Sequence, residues 1–448
     1  MTTAAPSGLK LPSPPAVARG LDGSARLRDR RLPLEQLIAS ACWMLVVLSV
    51  QPWVRQPRTP QASVSGGTDT GKGILIAAVF VIAASLAAPR FRMRVPVFFL
   101  FYAAYLLVAA ATAFHLLDPM TSLLRVVRLG LALAVPLLLW RWLTRDPGPF
   151  LRAHRTAHLL LGLTVFAGLA AFPGAAWDYR GSAGARPRLQ GVILPMLSPR
   201  VGEVGAIIVG LTVIGLVLGK VRRLPGVIVI GLGSTLLILS WTRTAAAAML
   251  VGLLGAFFAT RRTRPGRRAF TALLLVVLMV LAARPVWSWA TRGQSSVELS
   301  SFTGRTLAWS AVFDQESSLR TVTLGHGLGN KRILLRRGEG DIDVQAIDNG
   351  WITMFWETGL LGVVLILLAV VAAFVTAWRA PTPYVRAAAI FLVLYVSIAA
   401  FTETGLSDLS SQTLHLMVAA GAAYADRLAT LGKPFLLPSL GPRRLASR

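Results

Sequence analysis

Apolar runs close to the ~20 residues that a helix needs to cross a bilayer recur along most of this chain. They fall at 36–53, 73–89, 95–116, 121–140, 156–172, 201–219, 225–240, 244–260, 269–283, 350–377, 385–402 and 410–425. The expectation is an all-α, polytopic membrane protein with about twelve transmembrane helices. Composition agrees: 54% of the 448 residues are hydrophobic, 15% are charged, and the mean hydropathy is +0.63, which excludes an ordinary soluble domain. The stretch from Pro225 to Thr260 holds one charge, Arg243. As a single helix it would reach ~54 Å, well beyond a ~30 Å hydrocarbon core, so it must turn back near Ser240-Trp241-Thr242-Arg243.

The formal charge of +27 would suggest nucleic acid in a soluble protein. Here the cations crowd alternate loops instead: Arg90, Arg92 and Arg94; Arg141, Arg145, Arg152 and Arg155; Lys220, Arg222 and Arg223; Arg261, Arg262, Arg264, Arg267 and Arg268; Arg379 and Arg386. By the positive-inside rule these loops and both basic tails face the cytoplasm. The loops between them face outward: 173–200, the turn at Arg243, the long loop 284–348 and the short 403–409. The resulting organisation is a disordered basic tail over 1–34, spans one to nine over 35–283, an extracytoplasmic loop over 284–348, spans ten to twelve over 349–426 and a second basic tail over 427–448. Cys42 is the only cysteine, so no intramolecular disulfide forms.

Polar groups at a span entrance are the natural carriers of chemistry, because charge near lipid is costly. Asp348-Asn349-Gly350 stands where the long loop re-enters an apolar span, and Gly359-Leu360-Leu361-Gly362 follows inside it. Asp348 also fits a plain N-cap, and the glycines fit close helix packing. Within the loop, Thr303 to Phe313 has the pattern of a short amphipathic helix on the membrane surface, with Arg305 beside its N-terminus. That arrangement suits a phosphate, and it equally describes a capped helix with a solvated arginine. Leu324-Gly325-His326-Gly327-Leu328-Gly329 places glycines at alternate positions, a tight turn without the βαβ setting of a nucleotide fingerprint. His326 reads as a base, a ligand or a loop residue. Gly340-Asp341-Ile342-Asp343 has the look of a metal-holding Asp-x-Asp element, but it falls in an outward loop and reads as a solvated acidic segment. Arg243 fits an interfacial arginine beside Trp241, its stem in the apolar zone.

In this order the elements resemble the bacterial O-antigen ligase and polysaccharide polymerase family, membrane glycosyltransferases that use lipid-linked saccharides. Five motifs carry the resemblance: Arg188-Leu189-Gln190-Gly191 followed by Pro199-Arg200; Thr242-Arg243-Thr244-Ala245 opening a span; Gly304-Arg305 with Trp309; the Gly325-x-Gly327-x-Gly329 turn; and Asn349, nine residues, then Gly359-x-x-Gly362. They run from about residue 186 to 377, while the first half matches only as hydrophobic topology. Asp348 stands where the ligases carry histidine and where polymerase-like relatives often carry aspartate, which favours a polymerase.

The resemblance implies transfer of a glycan from a polyprenyl-diphosphate carrier to a hydroxyl of an acceptor glycan, with inversion, without a nucleotide sugar and without a metal or other cofactor. The setting it implies is the outer face of the bacterial cytoplasmic membrane, with both termini inside. Membrane lipid, the lipid-linked donor and the acceptor are then the partners, together with flippase and chain-length-regulator proteins, and no nucleic acid. The catalytic expectations are Asp348 as base with Arg243 and Arg305 on the diphosphate; Arg188, Arg200, His326, Asn349, Gly359 and Gly362 are expected to line the substrate site. The rival class is a transporter, either a flippase for lipid-linked oligosaccharides or an organic-anion exporter. The absence of a visible two-halves repeat and the concentration of polar groups on one face argue against it.

Overall fold

The apolar runs fold as helices because lipid offers the backbone no partners, and a helix satisfies its own N–H and C=O groups. The computed structural model describes residues 32–51, 70–87, 95–114, 119–179, 186–260, 305–315, 318–329, 331–336 and 342–431. Among these residues the chain is almost wholly helical, in the order α1 (Leu32–Ser49), α2 (Thr70–Leu86), α3 (Val97–Ala113), α4 (Pro119–Leu138), the short α5 (Trp140–Arg145) and α6 (Gly148–Ala171). A two-residue pair β1 (Trp177–Asp178) and β2 (Arg188–Leu189) precedes α7 (Ser198–Val217), α8 (Arg223–Leu239) and α9 (Arg243–Ala259). Then come α10 (Arg305–Gln315), α11 (Leu319–Leu324), the hairpin β3 (Arg332–Arg336) and β4 (Ile342–Ala346), and finally α12 (Gly350–Trp378), α13 (Pro383–Ala399) and α14 (Ser411–Thr430).

Eleven of the expected spans correspond to helices; the run 269–283, the N-terminal tail to residue 31 and the C-terminal tail from 432 lie outside the described residues. Three helices, α4, α7 and α12, are both long and apolar enough to cross a bilayer on their own measure. The helices are apolar on their outer faces too: Ile74, Leu107, Val127, Ile228, Phe258 and Leu367 are all exposed. In water that would be unstable, whereas lipid tails solvate it.

The hairpin read from Pro225 to Thr260 is present. α8 ends at Leu239, α9 starts at Arg243, and Trp241 makes the reversal with φ of 53°. α8 packs along α7, where Gly205 and Gly233 let the two backbones approach; a Cβ on Gly205 would lie 2.5 Å from the Gly233 carbonyl oxygen. α9 packs instead along α13. The hairpin therefore bridges two groups of helices, and its turn marks where their ends meet.

The surface helix begins at Arg305, and its buried face, Ala308, Ala311 and Val312, packs on Ile333, Ile347 and Trp356 in a small apolar cluster of its own. Trp309 Nε1 donates to the Ile347 carbonyl at 2.7 Å. Leu307 and Phe313 stay exposed on its other side. Asp341 lies outside the described residues.

Candidate functional site

Five element ends meet at the turn between α8 and α9. β1 pairs with β2 so that Asp178 faces Arg188, and Arg188 Nε donates to the Ser240 carbonyl at 3.1 Å. Thr242 ties the same turn to the start of α7 through its hydroxyl, 3.1 Å from the Ser198 carbonyl. One residue on, Arg243 opens α9. Thr402 Oγ1 donates to Thr244 Oγ1 at 2.8 Å, and Gly350 N donates to the Ala400 carbonyl at 2.6 Å, so the end of α13 is stitched to the starts of α9 and α12. Arg305, at the head of α10, reaches Asp348 at 3.5 Å. Asp178, Arg188, Arg243, Arg305 and Asp348 belong to loops that the charge pattern assigned to the outer side.

Arg188, Arg243, Arg305, Asp348 and Glu403 thus form one basin. Arg188 interacts electrostatically with Glu403, Asp178, Arg305 and Arg243, and Glu403 with Arg305, Asp348 and Arg188. The basin is open: the side chains of Arg305 and Asp348 are 30% and 47% exposed. Glu403 is the least expected member. Burial pushes its carboxyl up to about 7, Glu203 and Asp348 push the same way, and Arg305 and Arg188 pull against them. It thus exchanges a proton near neutral pH.

Asp348 does not cap α12. It sits at φ of 43°, and Asn349 takes the cap, its side-chain oxygen accepting from Trp351 N at 3.0 Å and Ile352 N at 3.1 Å. Asn349 is buried and committed to these bonds; the turn at Asp348 swings its carboxylate out toward Arg305.

His326, Gly359 and Gly362 lie in a different arrangement beneath the basin. α12 is broken at Gly359, whose φ of 64° and ψ of −170° are open to glycine almost alone. A break frees carbonyls that a continuous helix would have used. The glycine turn supplies their partners: His326 N donates to Trp356 O at 2.8 Å, Gly327 N to Glu357 O at 2.7 Å, and Gly329 N to the Glu357 carboxylate at 2.7 Å. The His326 ring stacks on Trp356 with centroids 3.8 Å apart. Contact is so close that a Cβ on Gly359 would sit 2.2 Å from the Thr323 carbonyl carbon. Gly362, one turn after Thr358 on α12, lies against Thr358 and against Tyr105 of α3. These three motif residues interlock the loop with a transmembrane helix.

Arg200 lies away from the basin arginines. It pairs with Glu203 on its own helix and donates from Nε to Gln51 Oε1 at 3.3 Å. Glu203 in turn accepts from His415 at 2.9 Å, at the edge of a buried histidine group. A further acid, Asp408, meets Arg125 at 3.5 Å and Lys331 at 3.4 Å. Burial would raise it, but Lys331 and Arg125 hold its carboxyl below the usual carboxylate range. Glu403 and Asp408 share the eleven-residue connection 400–410, which has no recognisable motif to single them out. The His154 and His158 pair had a signal, an i,i+4 repeat inside an apolar span.

Residues 226–367 match a family model described as O-antigen ligase. That region takes in α8, α9, α10, the glycine turn and the broken start of α12, and with them Arg243, Arg305, His326, Asp348, Asn349, Gly359 and Gly362. No curated protein matches the chain. Together with the apolar helices, the match marks an integral membrane protein with an O-antigen-ligase-like domain.

Proposed function

We propose that the basin transfers a glycan from a polyprenyl-diphosphate carrier to the hydroxyl of an acceptor glycan at the outer face of the cytoplasmic membrane. The observation that carries this reading is the convergence of Arg188, Arg243 and Arg305 from three separate elements, with Arg188 and Arg305 acting on the Glu403 carboxyl that burial raises to about 7. Three guanidinium groups held in one partly exposed basin, beside Asp348, Asp178 and Glu403, suit the binding of an anionic group that bridges them. A diphosphate fits the fork geometry of arginine better than a single point charge would.

In the reaction, the acceptor oxygen attacks the anomeric carbon as the bond from that carbon to the phosphate oxygen breaks. The electron pair departs with the diphosphate, where Arg243 and Arg305 stabilise the growing charge. The hydroxyl proton passes to Glu403, which later returns it to water. Asp348, expected from the sequence to be the base, holds Arg305 in place on this reading. Arg188, tied to the Ser240 carbonyl, fixes the near wall of the basin. The isoprenoid tail stays in the bilayer beside the exposed apolar helix faces, so the carrier does not leave the membrane. Asp348 in place of histidine favours a polymerase over a ligase.

Removal of the protein from its host tests this. Lipid-linked glycan should accumulate, and repeat units capped at one length identify a polymerase, whereas full-length chains left on the carrier identify a ligase. A normal glycan profile without the protein contradicts the assignment.

A further inference from the structure

We propose that His154, His158 and His415 form a buried site for a late first-row divalent metal ion, Zn2+ in the first instance, that ties α6 to α14. One ligand nitrogen from each of the three rings lies within 4.8 Å of the other two, and all three side chains are 0% exposed. Imidazole suits this class of ion, and three such ligands leave one coordination position open.

Two of the rings are already oriented as metal ligands usually are, with the far nitrogen donating to a fixed acceptor. His158 Nδ1 bonds the His154 carbonyl at 2.8 Å, one turn back on α6, and His415 Nε2 bonds Glu203 at 2.9 Å. Each bond fixes the tautomer and leaves the other nitrogen of that ring with its lone pair. For His158 that nitrogen is Nε2, which is buried and has no hydrogen-bond partner among the described residues. An orphaned acceptor in a dry core is costly. A plain hydrogen-bonded chain from Trp43 through His154 and His415 to Glu203 would have no use for it, whereas a cation gives it a partner. Arg200 binds the other oxygen of Glu203 and so fixes the acceptor behind His415.

His154 is the ring that must adjust. Its Nε2 is 2.8 Å from His415 Nδ1, so in the ion's absence one N–H bridges the two rings, and its Nδ1 accepts from Trp43 Nε1 at 3.2 Å. To bind through Nε2, His154 moves that proton to Nδ1 and gives up the bond from Trp43. No proton is gained or lost overall. Trp43→Phe removes the opposing N–H while keeping a ring against Phe150, so this variant should hold the ion more tightly than wild type.

The test uses the full chain in detergent, loaded with Zn2+ or Co2+ and freed of excess. Expected are about one ion per chain, visible Co2+ absorption of a tetrahedral nitrogen site, and a melting temperature that falls when a chelator is added. His158→Gln should bind less than a tenth as much while eluting as a monodisperse protein, and its melting temperature should no longer respond to the chelator; His326→Gln, a loop histidine, should bind as wild type does. Failure of wild type to hold either ion, or full loading of His158→Gln, overturns the proposal. Metal content and melting temperature are read without any transfer assay, so either outcome is distinguishable from failure of the proposed reaction, even with Glu203 standing between His415 and Glu403.

Discussion

Around Arg188, Arg243 and Arg305 the charged groups come from the ends of elements, on side chains that still meet solvent, whereas His154, His158 and His415 sit along helix faces and are enclosed, with Glu203 at their edge. The first cluster gathers three cations in one basin with Glu403 and Asp348. The second is bonded internally: Trp43, His154, His415, Glu203, Arg200 and Gln51 form one continuous run of hydrogen bonds that leaves His158 Nε2 aside. A site that turns over a large anionic substrate needs access and a cluster of cations, while a group that holds helices together needs neither. The contrast separates a reactive surface from an internal fastening, although both are built from the same residue types.

The sharpest way to break that contrast is at Glu403. Glu403→Gln should cut transfer by about 10²–10⁴-fold, the usual worth of a general base, with the protein still inserted and monodisperse. Since only the carboxylate accepts a proton, the wild-type rate should rise with pH through about 7 and then level off. Arg305 pulls the Glu403 pKa down, so its loss should move that rise to higher pH in whatever activity remains. Next in size are Arg243→Ala and Arg305→Ala, each expected to lower transfer by about 10²–10³-fold in a carrier-turnover assay, with lysine at either position a poor substitute. In the other cluster, Arg200→Gln should lower the melting temperature and leave the specific activity of the folded fraction much closer to wild type.

Gly359→Ala should cost about 3 kcal/mol, because it strains a glycine-only backbone and drives a methyl group into Thr323. Thermal unfolding in detergent checks this. The smallest effect belongs to Asp348→Asn. A half-exposed ion pair is worth up to about 1 kcal/mol, so transfer should fall by no more than about fivefold. A loss as large as that of Glu403→Gln would return the base to Asp348.

The fold was largely legible because span length and alternating charge are set by the bilayer itself. The hairpin at Ser240 to Arg243 followed from length alone. The basin was legible where short motifs carry it, at Arg188, Arg243, Arg305 and Asp348. It was not legible at Glu403, which acts through the chance that α13 ends beside the start of α9, a juxtaposition with no local pattern. Gly359 is expected from its motif to line the substrate site, or else to pack helices; it is a backbone break whose partner, the glycine turn, lies some thirty residues earlier. His415 joins His154 across 261 residues, beyond the reach of any spacing rule. Arg200 shares a motif with Arg188, yet one helical turn aims it at Glu203 and away from the basin.

Reconstitution gives the most direct test of the basin as a transferase. Purified protein is placed in liposomes with a polyprenyl-diphosphate-linked repeat unit, and new glycosidic bonds and free polyprenyl diphosphate are measured together for wild type and Glu403→Gln. Expected is one free carrier diphosphate per bond formed in wild type, with both products lost in the variant. Movement of the lipid-linked glycan between leaflets without release of carrier diphosphate, or equal transfer by Glu403→Gln, would contradict it.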